Sequence, residues 1–339
     1  MNMPKISILI PTYNRAAFLR NALDSIVAQN ARDIECVISD NASSDDTAEI
    51  VKSFQKNHAY IKYFRNEANL GFDSNILASL SRATGEYVWL FGDDDYMLPG
   101  AIGVVRETIA RNYNLALVYV NYSISSRDFK KIIKRRAVPL YKNKLCKTSD
   151  DCLKTILCDL TFMSSLVFQR ALYPAVRNCE NFIGSGFIHF YIVLSILKRN
   201  RSYIIAEPYV KNRSGNSGDY PFFKYFVVGL CRILDAAKRL DYKSESITKT
   251  KKAILRLLIF RKILVFRSVD PKSLKGTLQL LIENFSSEPF FWFFVLPVYF
   301  VPSVFVRFLY SLYMTSFRGL GDNSLYEMAK SHHNDPNAQ

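Results

Sequence analysis

The first 125 residues alternate between short apolar runs and longer stretches in which apolar positions recur every three or four residues. The run KISILIPTY, residues 5–13, is nearly all apolar and partly β-branched, which is typical of a strand buried on both faces of a parallel sheet. The next stretch, NRAAFLRNALDSIVAQ, has the spacing of an amphipathic helix. The same order continues in the strands IECVISDN, IKYFRN, EYVWLF and LALVYVNYSIS, and in the helices SSDDTAEIVKSFQKN, DSNILASLSRATG and AIGVVRETIARN. The stretch RDFKKIIKRRA, residues 127–137, follows the last of these strands and predicts a basic loop. This pattern predicts an α/β fold with a doubly wound, mostly parallel sheet flanked by helices.

Polar clusters follow three of the predicted strands: PTYNR after the first, SDNASSDD after the second and GDDDY after the fourth. Ligands of such sheets bind outside the carboxyl ends of the strands, so we expect these clusters to form one functional edge. No GxGxxG follows the first strand, and no GxxxxGK[ST] occurs in the chain. The sequence therefore predicts neither a dinucleotide-binding site nor a P-loop.

Three consecutive carboxylates, Asp93, Asp94 and Asp95, stand at the end of an apolar strand. Neighbouring carboxylates repel one another and resist desolvation. A fold tolerates them near its core when they are solvated, hydrogen-bonded or neutralised by a positive charge. A solvated cap on the following helix is a simpler alternative, and it suits Asp95 better than the whole triplet.

The chain changes character after about residue 220. KNRSGNSGDYP, residues 211–221, predicts a mobile loop, and ITKTKKAILRLLIFRKILVFRSVDP predicts a basic, apolar helix. Residues 289–306 then form an uncharged run of 18 residues that Pro297 and Pro302 interrupt. We expect helices in a membrane interface rather than a span, with a packed hydrophobic hairpin as the third alternative. The predicted domains are residues 1–220 and a helical, membrane-associating region, 221–339.

Charge is divided unevenly along the chain. The net charge of +15 comprises −3 for residues 1–120 and +18 for residues 121–339. The basic part could meet nucleic acid, an anionic membrane face or a phosphorylated substrate, or form a solvated face. The six cysteines form no CxxC pair, which favours reduced thiols in the cytosol. The start MNMPKISILIPTYN lacks a signal-peptide pattern, so we expect the catalytic part to face the cytoplasm.

Four linked motifs resemble the family 2 glycosyltransferases of GT-A type: SILIPTYNRAAFLRNALDSIVAQ, IECVISDNASSDDT, NEANLGFDSN and ATGEYVWLFGDDDYMLP. These enzymes transfer a sugar from a nucleotide diphosphate donor. VISDNASSDDT and WLFGDDD are most similar to the abequosyltransferase type of O-antigen enzyme, which makes lipopolysaccharide side chains. The resemblance implies a GT-A fold and a nucleotide-sugar site at the predicted sheet edge.

The resemblance also assigns residues to the donor. A flat aromatic ring beside a backbone turn can hold a base, and a carboxylate at the second strand end can accept from a base N–H or a ribose hydroxyl. Arg213 matches a basic residue in a loop that closes over the donor, where it could pair with the diphosphate; a solvated loop arginine is the alternative. The implied donor-binding residues are Pro11, Thr12, Tyr13, Arg15, Asp40, Asn69, Gly71, Asp93 and Arg213.

In the resemblance, the triplet is the site of Mg²⁺ or Mn²⁺. Such a cation takes one or two carboxylates and completes its shell with phosphate oxygens and water. The family pattern is Asp-x-Asp-Asp, and aligning through Tyr96 places Gly92 where the first Asp usually stands. Asp94 is then the metal ligand, Asp93 lies near the ribose, and Asp95 is a second ligand or catalytic helper. An alignment shifted by one residue would exchange these roles between neighbouring aspartates.

The catalytic base departs from the family pattern. Inverting members carry Glu-Asp at the start of a helix downstream, where this chain reads NFIGSGFIHFYIVLSIL. His189 is the candidate base or acceptor contact in this stretch, since its ordinary pKa suits a base. A buried structural histidine is the alternative, and inversion and retention of the anomeric configuration both remain open.

The predicted function is transfer of a sugar, with deoxyhexoses among the candidates, to a saccharide on a polyprenyl diphosphate in O-antigen or capsule synthesis. The expected location is the cytoplasmic face of the inner membrane, peripheral or monotopic, with no nucleic acid partner. A sugar nucleotidyltransferase is one alternative, but PTYNRAA lacks the Gly-rich basic loop that it requires. A non-enzymatic membrane- or nucleic-acid-binding module is the other, and it gives no reason for the polar clusters to converge.

Overall fold

The computed structural model describes residues 5–214, 221–269 and 271–308, and it confirms the alternation of strands and helices. The strands of the described residues are β1 Ile6–Thr12, β2 Ile34–Asp40, β3 Ile61–Arg65, β4 Tyr87–Leu90, β5 Tyr96–Met97, β6 Leu115–Ser125, β7 Ile132–Lys134, β8 Lys144–Cys146, β9 Leu166–Gln169 and β10 Arg201–Arg213. The α-helices are α1 Ala16–Val27, α2 Thr47–Gln55, α3 Phe72–Ser81, α4 Ala101–Arg111, α5 Ser149–Ile156, α6 Ile188–Leu197, α7 Leu230–Ala237, α8 Ser244–Ala253, α9 Phe260–Val269, α10 Thr277–Phe285 and α11 Leu296–Phe300.

The strands form one sheet in the order β3-β2-β1-β4-β9-β6-β10-β5. Strands β1 to β4 are parallel to one another, and β10 is parallel to β6. Strand β9 lies antiparallel between β4 and β6. The predicted α/β fold with a mostly parallel sheet is confirmed, and the parallel strands end along one edge.

Both faces of the sheet are covered. On β1, Ile8 and Ile10 pack with α1 and α4, whereas Leu9 faces the opposite cluster of buried side chains. The period of two explains why the strand is apolar throughout, as its sequence predicts. The cluster that Leu9 faces also contains Ile188 of α6 and Phe285 of α10, so buried residues from both sides of position 220 belong to it. The predicted domain boundary at 220 stays a prediction.

Two local expectations were wrong. Residues 211–213, which were expected in a mobile loop, are the end of β10, because β6 pairs with all three of them and β5 also pairs with Lys211. The basic stretch RDFKKIIKRRA, assigned to a loop, contains β7, which pairs with the end of β6. The rest of the predicted mobile loop, residues 215–220, lies outside the described residues.

The uncharged C-terminal run folds as short helical pieces. A π-helical segment, Phe291–Val295, continues into α11, and after Pro302 residues 303–308 are helical. Phe291 and Val295 are buried, so part of the run packs against the protein. Within the described residues, none of the helices has the length and apolar character needed to cross a bilayer.

Candidate functional site

The carboxyl ends of β1, β2 and β10 meet the triplet at one edge of the sheet. Thr12 and Asp40 are register partners at the ends of β1 and β2. Thr12 Oγ1 donates to Asp93 Oδ2 at 2.8 Å, and Asn212 Nδ2 on β10 donates to Asp95 Oδ1 at 3.2 Å. The predicted convergence of polar side chains on this edge is therefore confirmed.

Asp93 is a buried carboxylate with two partners. Besides the bond from Thr12, its Oδ1 accepts from Arg15 Nε at 2.9 Å. Burial raises the pKa of Asp93 to about 7, with the Arg15 charge opposing the rise and the Asp94 charge adding to it. The protein therefore holds a carboxylate here at an electrostatic cost, which a nearby cation would reduce.

Arg15 contacts both Asp93 and Asp94, and Asp94 is the more accessible of the two. Its side chain is 23% exposed, whereas that of Asp93 is 9% exposed. Its carboxylate is ion-paired with Arg15 Nη2. Its backbone oxygen accepts from Arg213 Nε at 3.0 Å. Asp94 thus combines a partly exposed carboxylate with a main chain that β10 holds in place through Arg213.

Asp95 is held by hydrogen bonds on both oxygens. Oδ2 accepts from Ser164 Oγ, and Oδ1 accepts from Asn212 and, at 3.4 Å, from the backbone N–H of Arg213. Burial raises the pKa of Asp95 well above its usual range, and the Asp94 charge adds to the rise. Asp95 is therefore buried with both oxygens engaged, which suits a residue that holds the triplet segment in position.

Gly92 has little room for a side chain. A Cβ atom there would lie 2.8 Å from Asp95 Oδ2, 3.1 Å from Asp94 Oδ1 and 3.3 Å from Ser164 Oγ. Contacts below about 3.0 Å force neighbouring atoms to move. The absence of a fourth carboxylate in this motif therefore has a steric reason: Ser164 and the Asp95 carboxylate fill the space.

Arg213 lies at the end of β10 and is buried. Its guanidinium sits over the rings of Phe129 at 4.1 Å and Phe18 at 5.0 Å, and its Nη1 donates to the backbone oxygen of Arg127. Its Nη2 has no hydrogen-bond partner among the described residues. Burial lowers the pKa of Arg213, the Asp94 and Asp95 charges oppose this, and the Arg15 and Arg127 charges add to it.

The predicted base-binding residues lie at the ends of β1 and β2. Tyr13 is 43% exposed, whereas Pro11 and Thr12 are buried in β1. The buried Asp40 accepts from the Ser43 N–H at 2.9 Å and from the Tyr63 hydroxyl. Burial raises the pKa of Tyr63, and its hydrogen bond to Asp40 adds to the rise.

Asn69 and Gly71 are fixed beside β2 by Asn41. Asn41 Nδ2 donates to Asn69 Oδ1 at 2.6 Å, and Asn41 Oδ1 accepts from the Leu70 N–H at 2.9 Å. Gly71 has φ of 79° with open space around its missing side chain. A ligand can therefore approach this backbone closely, in a conformation that favours glycine.

His189 is a buried residue of α6, 2% exposed. Its Nε2 lies 2.8 Å from the Thr161 carbonyl oxygen, which can only accept, so this hydrogen bond assigns the proton to Nε2 and the lone pair to Nδ1. Nδ1 has no partner among the described residues. The rings of Phe72 and Phe187 flank the imidazole, and burial lowers the pKa of His189.

The carboxylate at the start of α6 comes from another helix. Asp73 of α3 accepts from the Gly186 N–H at 2.8 Å and from the Ile188 N–H at 3.1 Å. Unpaired N–H groups at a helix start favour such an acceptor. The acidic group that α6 lacks in its own sequence is thus supplied across the fold.

Sequence reasoning missed Ser164 and Asn212, which the structure brings to the triplet, and Arg127, whose backbone oxygen accepts from Arg213. Ser164 belongs to a 3-10 turn, Met163–Ser165, far along the chain from the aspartates. No local pattern marks such a residue. Arg127 stood in the basic stretch after β6, and that charge was the available signal.

The residues fit a hard divalent cation shared with a ligand. Among the described residues, no group of three or more His, Cys, Asp or Glu side chains could enclose a metal by itself. A cation that takes one or two carboxylates and otherwise phosphate oxygens and water needs no such cage. Burial raises the pKa values of Asp93 and Asp95 and the Asp94 charge adds to the rise, so a cation beside the triplet would offset an electrostatic cost of holding these carboxylates.

Comparison with known proteins gives concordant matches. The family model "Glycosyl transferase family 2" matches residues 7–173. An abequosyltransferase from Salmonella typhimurium is 32% identical over 62% of this chain and 67% of its own. An uncharacterized glycosyltransferase from Mycoplasma genitalium is 30% identical over 85% and 93%.

A third relative is the GalNAc(5)-diNAcBac-PP-undecaprenol beta-1,3-glucosyltransferase from Campylobacter jejuni. It is 39% identical over 33% of this chain and 36% of its own length, so the match covers about a third of either protein.

Two solved structures share the fold. TarS residues 1–349 from S. aureus, in complex with UDP, has a TM-score of 0.57 at 17% identity, covering 82% of this chain and 81% of that one. The mannosyltransferase PcManGT from Pyrobaculum calidifontis, in complex with GDP-Man and Mn²⁺, has a TM-score of 0.54 at 15% identity, covering 98% and 87%. At these identities the likeness concerns the fold.

Proposed function

This chain is a member of glycosyl transferase family 2, as its motifs predict, and we propose that it moves a sugar from a nucleotide diphosphate donor to a lipid-linked saccharide. The abequosyltransferase and the undecaprenol-linked glucosyltransferase among its relatives support an acceptor of O-antigen or capsule type.

The observation that best supports this proposal is that two arginines and three aspartates meet at the strand ends. Arg15 from the end of β1 and Arg213 from the end of β10 both contact the triplet segment after β4. Arg213 also keeps Nη2 without a hydrogen-bond partner among the described residues, although it is buried. Guanidinium groups bind phosphate oxygens through paired N–H donors. A nucleotide diphosphate accompanied by a cation complements this arrangement of guanidinium and carboxylate groups.

The nucleoside end of the donor is assigned to the adjoining strand ends. The exposed Tyr13 ring supplies a flat surface for a base. Asn41 joins Asp40 to the open backbone at Gly71: its N–H donates to the Thr12 carbonyl oxygen at 2.9 Å, and its side-chain Oδ1 accepts from the Leu70 N–H. These residues would orient the donor so that its diphosphate reaches the arginines.

Asp94 would hold Mg²⁺ or Mn²⁺, with Asp95 as its support. A bound cation stabilises the nucleoside diphosphate as a leaving group. The chain's own part is to place the Asp94 carboxylate, fix its backbone through Arg213, and offer Arg15 to the phosphate oxygens.

His189 would activate the acceptor hydroxyl at Nδ1. The bond to the Thr161 carbonyl oxygen keeps the Nδ1 lone pair free for a proton, and the lowered pKa keeps the ring neutral near pH 7. The flanking Phe72 and Phe187 also suit a purely structural histidine. Transfer kinetics separate the two roles.

The C-terminal segment would bring the enzyme to its acceptor at a membrane surface. Trp292, Phe293 and Phe294 are exposed, and Phe293 is 75% exposed. Arg256 lies over the Phe290 ring at 5.0 Å, and that ring stacks on Phe294 at 4.8 Å. Exposed aromatics beside cations suit the interface of an anionic bilayer.

Calorimetric titration with UDP, CDP, GDP and dTDP, each with and without Mn²⁺, tests the donor assignment. We expect one nucleotide to bind with Mn²⁺, and Asp94→Asn to weaken this binding at least about tenfold. Asp24→Asn, which changes an exposed carboxylate on α1, is the matched control and should bind as wild type does. If none of the nucleotides binds, the proposed donor site is wrong, and a non-enzymatic module becomes the better interpretation.

A further inference from the structure

Arg15 bridges two of the three aspartates. Its Nε donates to Asp93 Oδ1 at 2.9 Å, and its Nη2 is ion-paired with Asp94 Oδ2. One guanidinium therefore spans adjacent carboxylates through two separate nitrogens. The Asp93 and Asp94 charges raise the pKa of Arg15 against the opposing effect of burial, so the group is fully charged.

The contacts of Arg213 are of a different kind. Its Nε and Nη1 donate to the backbone oxygens of Asp94 and Arg127. Arg15 donates directly to the carboxylates instead. The ring of Phe18 lies 4.9 Å from the Arg15 guanidinium and 5.0 Å from that of Arg213, so both cations share one aromatic contact. Arg15 is thus an organic cation bound to Asp93 and to Asp94, and Asp94 is the carboxylate that the proposed function assigns to a divalent cation.

Arg15 has a route to a second position. Its side chain is 26% exposed, and it projects from the residue just before the first turn of α1. The backbone can therefore stay in place while the side-chain torsions turn the guanidinium toward a phosphate group above the triplet. A phosphate oxygen offers the same paired acceptors that a carboxylate does.

We propose that Arg15 is an internal counter-ion that competes with the divalent cation for Asp94. When the cation takes its place, the Arg15 guanidinium donates to the phosphate oxygens of the donor instead. The inference rests on the proposed donor site. It predicts that the cation and the nucleotide bind with positive coupling, because the nucleotide offers the displaced guanidinium a new partner. The cation alone must displace Arg15 without that compensation.

The test measures Mn²⁺ binding in the absence of nucleotide. Electron paramagnetic resonance detects the Mn²⁺ that remains free. The variants are Arg15→Met, which removes the charge, and Arg15→Lys, which keeps it but cannot donate from two nitrogens. Arg20→Met removes a charge from an exposed position of α1 and is the matched control.

We expect Arg15→Met to bind Mn²⁺ alone about tenfold tighter than wild type, since one positive charge beside the site is gone. Arg15→Lys should bind a few-fold tighter, and Arg20→Met should equal wild type. In the presence of Mn²⁺, Arg15→Met should bind the nucleoside diphosphate more weakly, so the coupling between the two ligands falls.

Weaker or equal Mn²⁺ binding by both Arg15 variants would overturn the counter-ion role. Circular dichroism and thermal melting establish folding, and Arg15→Lys carries the test if Arg15→Met does not fold. A wild-type protein that binds neither Mn²⁺ nor any nucleotide would instead reject the proposed donor site, and the inference with it. Wild-type binding of Mn²⁺ with nucleotide, without tighter binding by the variants, rejects the inference alone.

Discussion

Ser164 Oγ donates a hydrogen bond to Asp95 Oδ2, across 69 positions of sequence. The same hydroxyl accepts from the Gly92 N–H at 2.8 Å, and the Ser164 carbonyl oxygen accepts from Trp89 Nε1 at 2.9 Å. The turn that carries Ser164 is thus fastened to both ends of the segment that presents the carboxylates. Ser164 positions Asp95 without being placed to contact a donor.

Replacing Ser164 with Ala should lower donor affinity by about tenfold or more, since supporting partners of a metal site commonly contribute that much. The Asp95 carboxylate would lose one donor and shift. Calorimetric titration with Mn²⁺ and the nucleotide measures the effect. Ser195→Ala, which removes a hydroxyl bonded to the Tyr191 carbonyl oxygen within α6, is the control. Equal affinities for the two variants would show that Ser164 does not position the site.

Replacing Gly92 with Ala should weaken Mn²⁺ and nucleotide binding and destabilise the fold by about 1–3 kcal/mol, because the new Cβ would lie 2.8 Å from Asp95 Oδ2. Urea unfolding and calorimetry measure the two effects. Gly103→Ala is the control, since a Cβ there meets no heavy atom within 4 Å and glycine in a helix costs about 0.5–1 kcal/mol relative to alanine. A Gly92→Ala protein with native stability and affinity would contradict the steric account.

Replacing Asp73 with Ala should reduce the free energy of unfolding by about 1–3 kcal/mol, because one buried and one partly buried N–H group at the start of α6 lose their acceptor. Urea denaturation measures the change. Asp24→Ala, at an exposed position of α1, should change it by at most about 0.5 kcal/mol. Similar stabilities of the two variants would mean that α6 does not depend on α3 for its cap.

His189 should make stability fall with decreasing pH. Its pKa is below the ordinary 6.5 in the folded protein because burial disfavours the charged ring, and Asp73 opposes this effect. The unfolded chain therefore binds a proton first as the pH falls through about 6.5, and stability decreases there. Gln at position 189 can still donate to the Thr161 carbonyl oxygen but does not titrate. Urea unfolding of wild type and His189→Gln from about pH 7.5 to 5 should show a steeper loss for wild type.

The same His189→Gln variant distinguishes a base from a structural residue. A base predicts a turnover loss of about 10²-fold or more with donor affinity preserved. Turnover within about twofold of wild type would leave His189 with its packing role.

Replacing Phe293, Phe300 and Phe305 together with Ser should weaken binding to anionic lipid vesicles by at least about tenfold, since each exposed ring could contribute about 1 kcal/mol on burial. Vesicle co-sedimentation measures binding. Tyr113→Ser with Tyr141→Ser removes two rings elsewhere that are at least as exposed, and it serves as the control. Undiminished vesicle binding by the triple variant would place the membrane contact on another surface.

The sequence by itself determined the alternating strands and helices, the sheet edge at which the polar clusters meet, and the family. Each of these depends on local information: the apolar run of β1, the helical spacing of α1, and a motif such as GDDDY that is continuous in the chain. Strand ends of a parallel sheet meet at one edge whatever the details of packing, so Thr12 and Asp93 could be placed together before their 2.8 Å hydrogen bond was seen.

The tertiary structure alone decided how the triplet is held. Arg213 was assigned to a loop by its Gly- and Ser-rich neighbours, but pairing with β6 makes it the end of a strand. Ser164 reaches Asp95, and Asp73 caps α6, only because strand order and helix packing bring distant segments together. A sequence pattern reports which face of its own element a residue occupies. Which residue it meets there depends on the register and packing of elements far along the chain. The balance of charge between Arg15 and the aspartates is therefore set by the tertiary structure.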